Sequence, residues 1–129
     1  MPRDIITSKR APAAVGAYSQ AVRAGDFVFV SGQIPLNPET GEIVFADIRE
    51  QTERILVNIR NILQEAGMGL EDVVRTTVYL ELMDDLSRVN EVYGRFFGEN
   101  PPARAAVEVA RLPKDVAIEI DAIAYKRLD

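Results

Sequence analysis

With 129 residues, 47% of them hydrophobic and 27% charged, and no biased tract, the chain has the make-up of one globular domain, large enough to bury roughly two-thirds of its unfolded surface. A net charge of −5 sets its overall field against nucleic acid and anionic membranes as partners. Histidine and cysteine are both absent, which excludes Ser-His-Asp and Cys-His catalysis, disulfides, and any metal site built on imidazole or thiolate.

Chemistry in this chain must therefore run on Arg, Lys, Asp, Glu, Tyr, Ser and backbone groups. No Asp-rich loop has calcium-site spacing, so no metal is expected. Met1-Pro2-Arg3-Asp4-Ile5-Ile6-Thr7-Ser8 lacks the apolar run of a signal peptide, and no stretch approaches bilayer-spanning length. The expected location is the cytoplasm.

In chain order, Asp26-Phe27-Val28-Phe29-Val30-Ser31-Gly32 reads as a strand entered through a Gly25-Asp26 turn. Pro35, Asn37, Pro38, Thr40 and Gly41 then make a loop. From Asp47, the residues Ile48, Thr52, Ile55, Leu56, Ile59, Ile62, Leu63 and Ala66 recur on one face of a helix, with Asp47 and Glu50 as a capping box and Gly67 as the stop. Residues 73–82 alternate as a strand, with Val74, Thr76, Val78, Leu80 and Leu82 on one face and Arg75, Thr77, Tyr79 and Glu81 on the other. Asp85 is placed to cap a second helix, whose stripe Leu86, Val89, Val92, Tyr93, Phe96 and Phe97 ends at Gly98 before Asn100-Pro101-Pro102. Two more strands, 103–110 and 116–125, flank Leu112-Pro113-Lys114-Asp115.

This order predicts an α/β (α+β) domain in which two helices cover one face of a sheet, leaving the other for solvent or a partner. Alternation assigns Arg75, Tyr79, Arg104, Ala106, Glu108, Glu119, Asp121, Ile123 and Tyr125 to that open face. Its mixture of charged, aromatic and aliphatic groups predicts a homo-oligomer.

Arg104 opens a strand after the rigid Pro101-Pro102-Ala103 approach. Its planar fork suits a small organic carboxylate, and it equally suits an interfacial salt bridge with Glu108 or Glu81. Glu119 interrupts the apolar run around it, where it is placed to orient or deprotonate a water, or to pair with Arg75 or Arg104. A simple hairpin of the last two strands sets Glu119 against Glu108 and leaves Arg104 roughly 13 Å away along the ladder. Either those strands are not neighbours, or the two groups meet across a subunit boundary, or Glu119 has another role. Gly16-Ala17-Tyr18-Ser19-Gln20-Ala21 and Ser31-Gly32-Gln33 allow close backbone approach to a ligand, or serve only as turns. Asn90 interrupts the second helix beside its apolar stripe, a position that calls for its hydrogen bonds.

Taken in order, those two runs together with Val89-Asn90-Glu91-Val92-Tyr93, Pro102-Ala103-Arg104 with Val107, Leu112-Pro113 and Ile118-Glu119-Ile120 resemble the Rid (RidA/YjgF-like) family of reactive-intermediate imine/enamine deaminases. The resemblance spans about residues 14–124. It implies a chorismate-mutase-like fold, a homotrimer with pockets between subunits, no cofactor, and hydrolysis of 2-iminobutanoate and 2-iminopropanoate to 2-oxo acids and ammonia. It also implies roles: Arg104 binds the carboxylate, Glu119 positions the water, the Ala106 backbone lines the pocket, and Tyr18, Ser31, Gly32 and Asn90 complete its walls. Ala106 stands where many relatives have cysteine, which removes any thiol mechanism, and Ala17 stands where proline is common. The competing expectation is a non-enzymatic protein that binds small carboxylates or acts as a chaperone-like module on the same fold. Ribonuclease activity is disfavoured by the acidic balance and the missing histidine.

Overall fold

The turn at Gly25, where φ is +61°, folds two strands into an antiparallel hairpin, β2 (Ala21–Ala24) and β3 (Phe27–Gln33). In the computed structural model, which describes residues 3–128, a strand not foreseen from the sequence, β1 (Asp4–Ile6), pairs with β2 at the sheet edge. Three residues are too few to show an alternation.

Helix α1 (Ile48–Glu65) starts where Asp47 accepts a hydrogen bond from the Arg49 backbone N–H. The observed cap is this single bond and an Asp47–Arg49 ion pair, in place of the expected box with Glu50. Its last turn closes through the N–H of Gly67, φ +74°, donating to the Gln64 carbonyl. Along the buried face Ile55, Leu56, Ile59, Ile62 and Leu63 are completely covered. Thr52 is buried among them because its hydroxyl donates to the Ile48 carbonyl at 2.8 Å.

Strand β4 (Val73–Leu80) leads through a short 3-10 turn to helix α2 (Leu86–Phe97). Val74 and Leu82, expected on the buried face with Thr76, Val78 and Leu80, are exposed. A bulge between Val73 and Arg75 turns Val74 outward, and the strand ends before Leu82. The Asp85 carboxylate makes no cap and pairs instead with Arg88. Gly98, with φ +70°, ends α2 as expected.

Strands β5 (Ala103–Glu108) and β6 (Ile118–Tyr125) complete a six-stranded mixed sheet of order β1-β2-β3-β6-β4-β5. β5 lies parallel to β4 at the far edge, and β6 runs antiparallel between β3 and β4. The last two strands are thus not a hairpin, because α2 carries the chain across to a parallel edge position. Both helices pack on one face, where Val28, Val30, Val78, Leu80, Val89, Val92, Ile118 and Ile120 form the core. The opposite face carries Phe27, Phe29, Thr77, Tyr79, Val107, Glu119, Asp121, Ile123 and Tyr125. The Phe27 ring packs there against Phe29 and Tyr125, with centroids 6.3 and 5.1 Å away, and each of the three residues is still more than 40% exposed.

Candidate functional site

The expected site residues form two groups on different parts of the subunit. The first surrounds a hollow of about 630 Å³ lined by Tyr18, Ser31, Gly32 and Glu119, together with Pro12, Val15, Ile34, Leu36 and Lys114. A bulge builds its floor. Between Val30 and Gln33 the β3 ladder slips against β6, so Ser31 and Gly32 stand out of register where Glu119 arrives. Ser31 Oγ donates to the Ser19 carbonyl at 2.6 Å, and its N–H donates to the Gln20 carbonyl at 2.9 Å. These bonds hold the Tyr18 loop against the strand.

Gln20 anchors the same loop from inside. Its side-chain amide accepts from the Ser8 N–H and donates to the Ser8 and Pro12 carbonyls, at 2.6, 3.1 and 2.7 Å. The one amide supplies both a donor and an acceptor to this buried backbone. From sequence it was only a member of a polar run. Tyr18, by contrast, keeps about half its surface open to the hollow.

Glu119 is half-buried and forms no ion pair among the described residues. Burial, and secondarily the charge of Asp121 two residues along the same face, raise its carboxyl above the ordinary value. Asp121 is itself engaged, accepting from the Tyr79 hydroxyl at 3.1 Å and the Thr77 N–H at 3.2 Å. Glu119 therefore has the environment of a carboxylate able to exchange a proton.

The second group is on the helix side at the sheet edge. Arg104 is the register partner of Thr76, and Ala106 of Val78, both of which face the helices. Arg104 Nη1 donates to Asn90 Oδ1 at 2.7 Å, and its guanidinium carbon lies 4.8 Å from the centre of the Tyr93 ring. Asn90 thus makes a side-chain hydrogen bond, to an arginine that its place beside the apolar stripe did not identify. Neither of the salt bridges weighed for Arg104 forms: the Glu108 carboxylate accepts from the Met83 N–H, and Arg104 pairs with no carboxylate among the described residues.

The faces correct one expectation. Arg104, Ala106 and Glu108 project to the helix side, while Glu119, the register partner of Tyr79, projects from the open face. Alternation within a strand separates two sets of residues without saying which set faces inward. In β5 the uncharged set Ala103, Ala105 and Val107 lies outward, because the charged set finds its partners on α2 and its preceding turn. Within one subunit Arg104 and Glu119 are two strands apart and three residues out of step, roughly 14 Å at standard strand spacing and rise, on opposite faces. No small molecule bridges them in a single chain.

Comparison with known proteins agrees with this architecture. Residues 8–126 match the family model described as Endoribonuclease L-PSP. A RutC family protein of Pyrococcus abyssi is 58% identical over 126 residues, covering 98% of this chain and 99% of the relative. Among solved structures, RidA from an Antarctic Psychrobacter superposes with a TM-score of 0.92 at 44% identity, covering 95% of this chain and 99% of that one. Escherichia coli TdcF with bound serine superposes with a TM-score of 0.91 at 46% identity, covering 95% and 98%. The chain belongs to the Rid/YjgF family, and its fold is that of the family. No helix among the described residues is long and apolar enough to cross a membrane.

Proposed function

We propose that this protein is a cofactor-free 2-iminobutanoate/2-iminopropanoate deaminase, working in the cytoplasm as a homotrimer whose sites form between subunits. The observation that carries this reading is that one chain holds two incomplete and separate half-sites. Among the described residues, one exposes a guanidinium without a carboxylate partner, and the other exposes a carboxylate without a cationic partner. A cyclic arrangement that sets the Arg104 edge of one subunit against the hollow of the next completes both. The apolar residues left on the open sheet face supply the area such contacts need. The serine in TdcF, a relative of near-equal length, is a small amino acid of the kind that gives rise to an imino acid.

The chemistry asks little of the protein. Arg104 grips the substrate carboxylate through paired N–H donors, with Asn90 fixing the guanidinium from behind. Tyr18 and the backbone at Ser31, Gly32 and Ala106 enclose the reacting carbon. Glu119 accepts a proton from a water as its oxygen bonds to the electrophilic iminium carbon, giving a carbinolamine. That proton passes to the amine, the C–N bond breaks as the carbinol O–H gives its proton to Glu119 and on to the departing ammonia, and a 2-oxo acid and ammonium leave. The sum is one iminium and one water giving one 2-oxo acid and one ammonium, with no redox change and no metal.

The decisive test generates 2-iminobutanoate in situ with threonine dehydratase and follows the acceleration of 2-oxobutanoate and ammonia release. The wild-type protein accelerates it and Arg104→Ala, folded and assembled, does not. Equal rates for the two overturn the site assignment. No acceleration by wild type, with 2-oxobutanoate still binding, leaves the non-enzymatic carboxylate-binding reading in its place.

A further inference from the structure

Among the described residues, the guanidinium of Arg104 is held by uncharged groups alone. Asn90 Oδ1 accepts from Nη1 at 2.7 Å, and the Tyr93 ring lies beneath the guanidinium, 4.8 Å from centre to carbon. Asn90 and Tyr93 are three residues apart on α2, so one helical turn presents both to the same strand residue. The Tyr93 hydroxyl is hydrogen-bonded at 2.7 Å to Oγ1 of Thr76. Thr76 is the register partner of Arg104 on the adjacent strand. The ring is therefore fixed to the ladder that carries the arginine, and Phe97 packs on it at 4.6 Å between centroids. Tyr93 and Thr76 are both buried.

We propose that Tyr93 is a positioning residue for Arg104, its ring orienting the guanidinium for a carboxylate ligand and its hydroxyl locking the ring to Thr76. A carboxylate in the same place would orient the arginine equally well and would cancel the charge that a ligand needs. A π face and an amide oxygen orient it and leave the positive charge available. Thr76 acts one step further back. A valine of the same shape fills its space and leaves the phenol without a partner. Burial, the largest influence, raises the Tyr93 phenol above its ordinary value, so the ring remains neutral across the working pH range.

The proposal rests on Arg104 being the carboxylate anchor, and its test separates the two ideas. Tyr93→Leu, which keeps apolar bulk and loses the ring, is compared with Tyr93→Phe and Thr76→Val, all checked for fold by circular dichroism and for assembly by light scattering. Three readouts are taken: KM and kcat for imine hydrolysis, Kd for 2-oxobutanoate by calorimetry, and the Arg104 Nε–Hε NMR resonance, assigned by its loss in Arg104→Lys.

Tyr93→Leu raises KM and Kd about tenfold, in the range of a partly desolvated cation–π contact, and leaves kcat within about twofold. Its Nε–Hε resonance loses the ring-current shift. Tyr93→Phe restores the shift and most of the affinity, and Thr76→Val falls between the two. An unshifted resonance with unchanged Kd in folded Tyr93→Leu overturns the proposal, as does a fall confined to kcat. A wild-type protein that binds 2-oxobutanoate and hydrolyses nothing defeats the deaminase reading alone, and the Kd and NMR comparisons still decide the role of Tyr93.

Discussion

The Glu119 carboxylate occupies the space that a side chain at Gly32 would need. A Cβ placed on Gly32 would strike Oε2 of Glu119 and lie 2.8 Å from its Cδ. The missing side chain on β3 is thus what lets the carboxylate of β6 fold over the bulge into the hollow. Because the atoms in conflict belong to the free end of Glu119, Gly32→Ala moves the carboxylate rather than the backbone. The mutant is expected to melt close to wild type and to lose about 100-fold in kcat, the scale of an ångström-sized misplacement of a reacting group. Turnover and thermal melts on the same preparation check both halves.

Glu119 also sets the pH dependence. Its carboxyl is raised by burial first and by Asp121 second, and only the ionised form accepts a proton from water. Activity is therefore expected to climb with pH through a limb centred above 4.5, the ordinary glutamate value. For stability the sign is opposite. A carboxyl raised in the folded chain contributes stability that is fully present below its unfolded pKa and lost as pH rises through the folded one. Glu119→Gln should remove the acid limb, lower kcat by about 100- to 10,000-fold, and melt no lower than wild type at pH 7. A pH–rate profile and melts between pH 4 and 8 test these together.

How far the sequence could reach follows from these two residues. Both helices and the strands β3, β4, β5 and β6 were legible because each carries its own periodicity, from Ile48 to Leu63, Leu86 to Phe97 and Val116 to Tyr125. Strand partners were not. Nothing local tells Ala103–Glu108 to pair with Val73–Leu80 rather than with Ile118–Tyr125, since that choice is made by the crossover of α2 over the sheet. The face of Arg104 was lost with it. The residue types at the site were readable as chemistry, and the ordered motifs pointed to the family, yet two of the supports were hidden. Tyr93 counts equally as core in a helical stripe, and the contact between Gly32 and Glu119 joins residues 87 positions apart in the chain.

Gln20 offers a stability test in the hollow's wall. Gln20→Ala leaves the Ser8 N–H and the Ser8 and Pro12 carbonyls without the partners they have now. A loss of about 1–3 kcal/mol is expected in chemical denaturation, the cost of orphaned buried polar groups. Since Pro12 and Val15 line the hollow, KM should rise in the same mutant while the acid limb set by Glu119 remains where it was.

The open sheet face gives a fourth test. Phe29 sits in the exposed aromatic cluster with Phe27 and Tyr125, on the side away from the helices. Phe29→Glu puts a charge where a neighbouring subunit would cover it, at little cost to a subunit already solvated there. The expected result is a folded monomer by light scattering, with the catalytic rate lost because no second chain supplies the other half-site. A trimer of undiminished activity would show that this face is not the interface.

The strictest test of a shared site uses two inactive proteins. Arg104→Ala lacks the anchor and keeps the carboxylate, and Glu119→Gln does the reverse. If each site took both groups from one chain, mixed oligomers of the two would be as dead as their parents. The opposite faces and the roughly 14 Å between these residues argue otherwise. When a site draws Arg104 from one subunit and Glu119 from the next, one boundary in four of a randomly mixed ring joins an intact Arg104 to an intact Glu119. Equal amounts unfolded and refolded together should then recover about a quarter of the wild-type rate, by the statistics of a cyclic head-to-tail interface. The recovered activity should show wild-type KM and the wild-type acid limb, since each restored site contains both native residues.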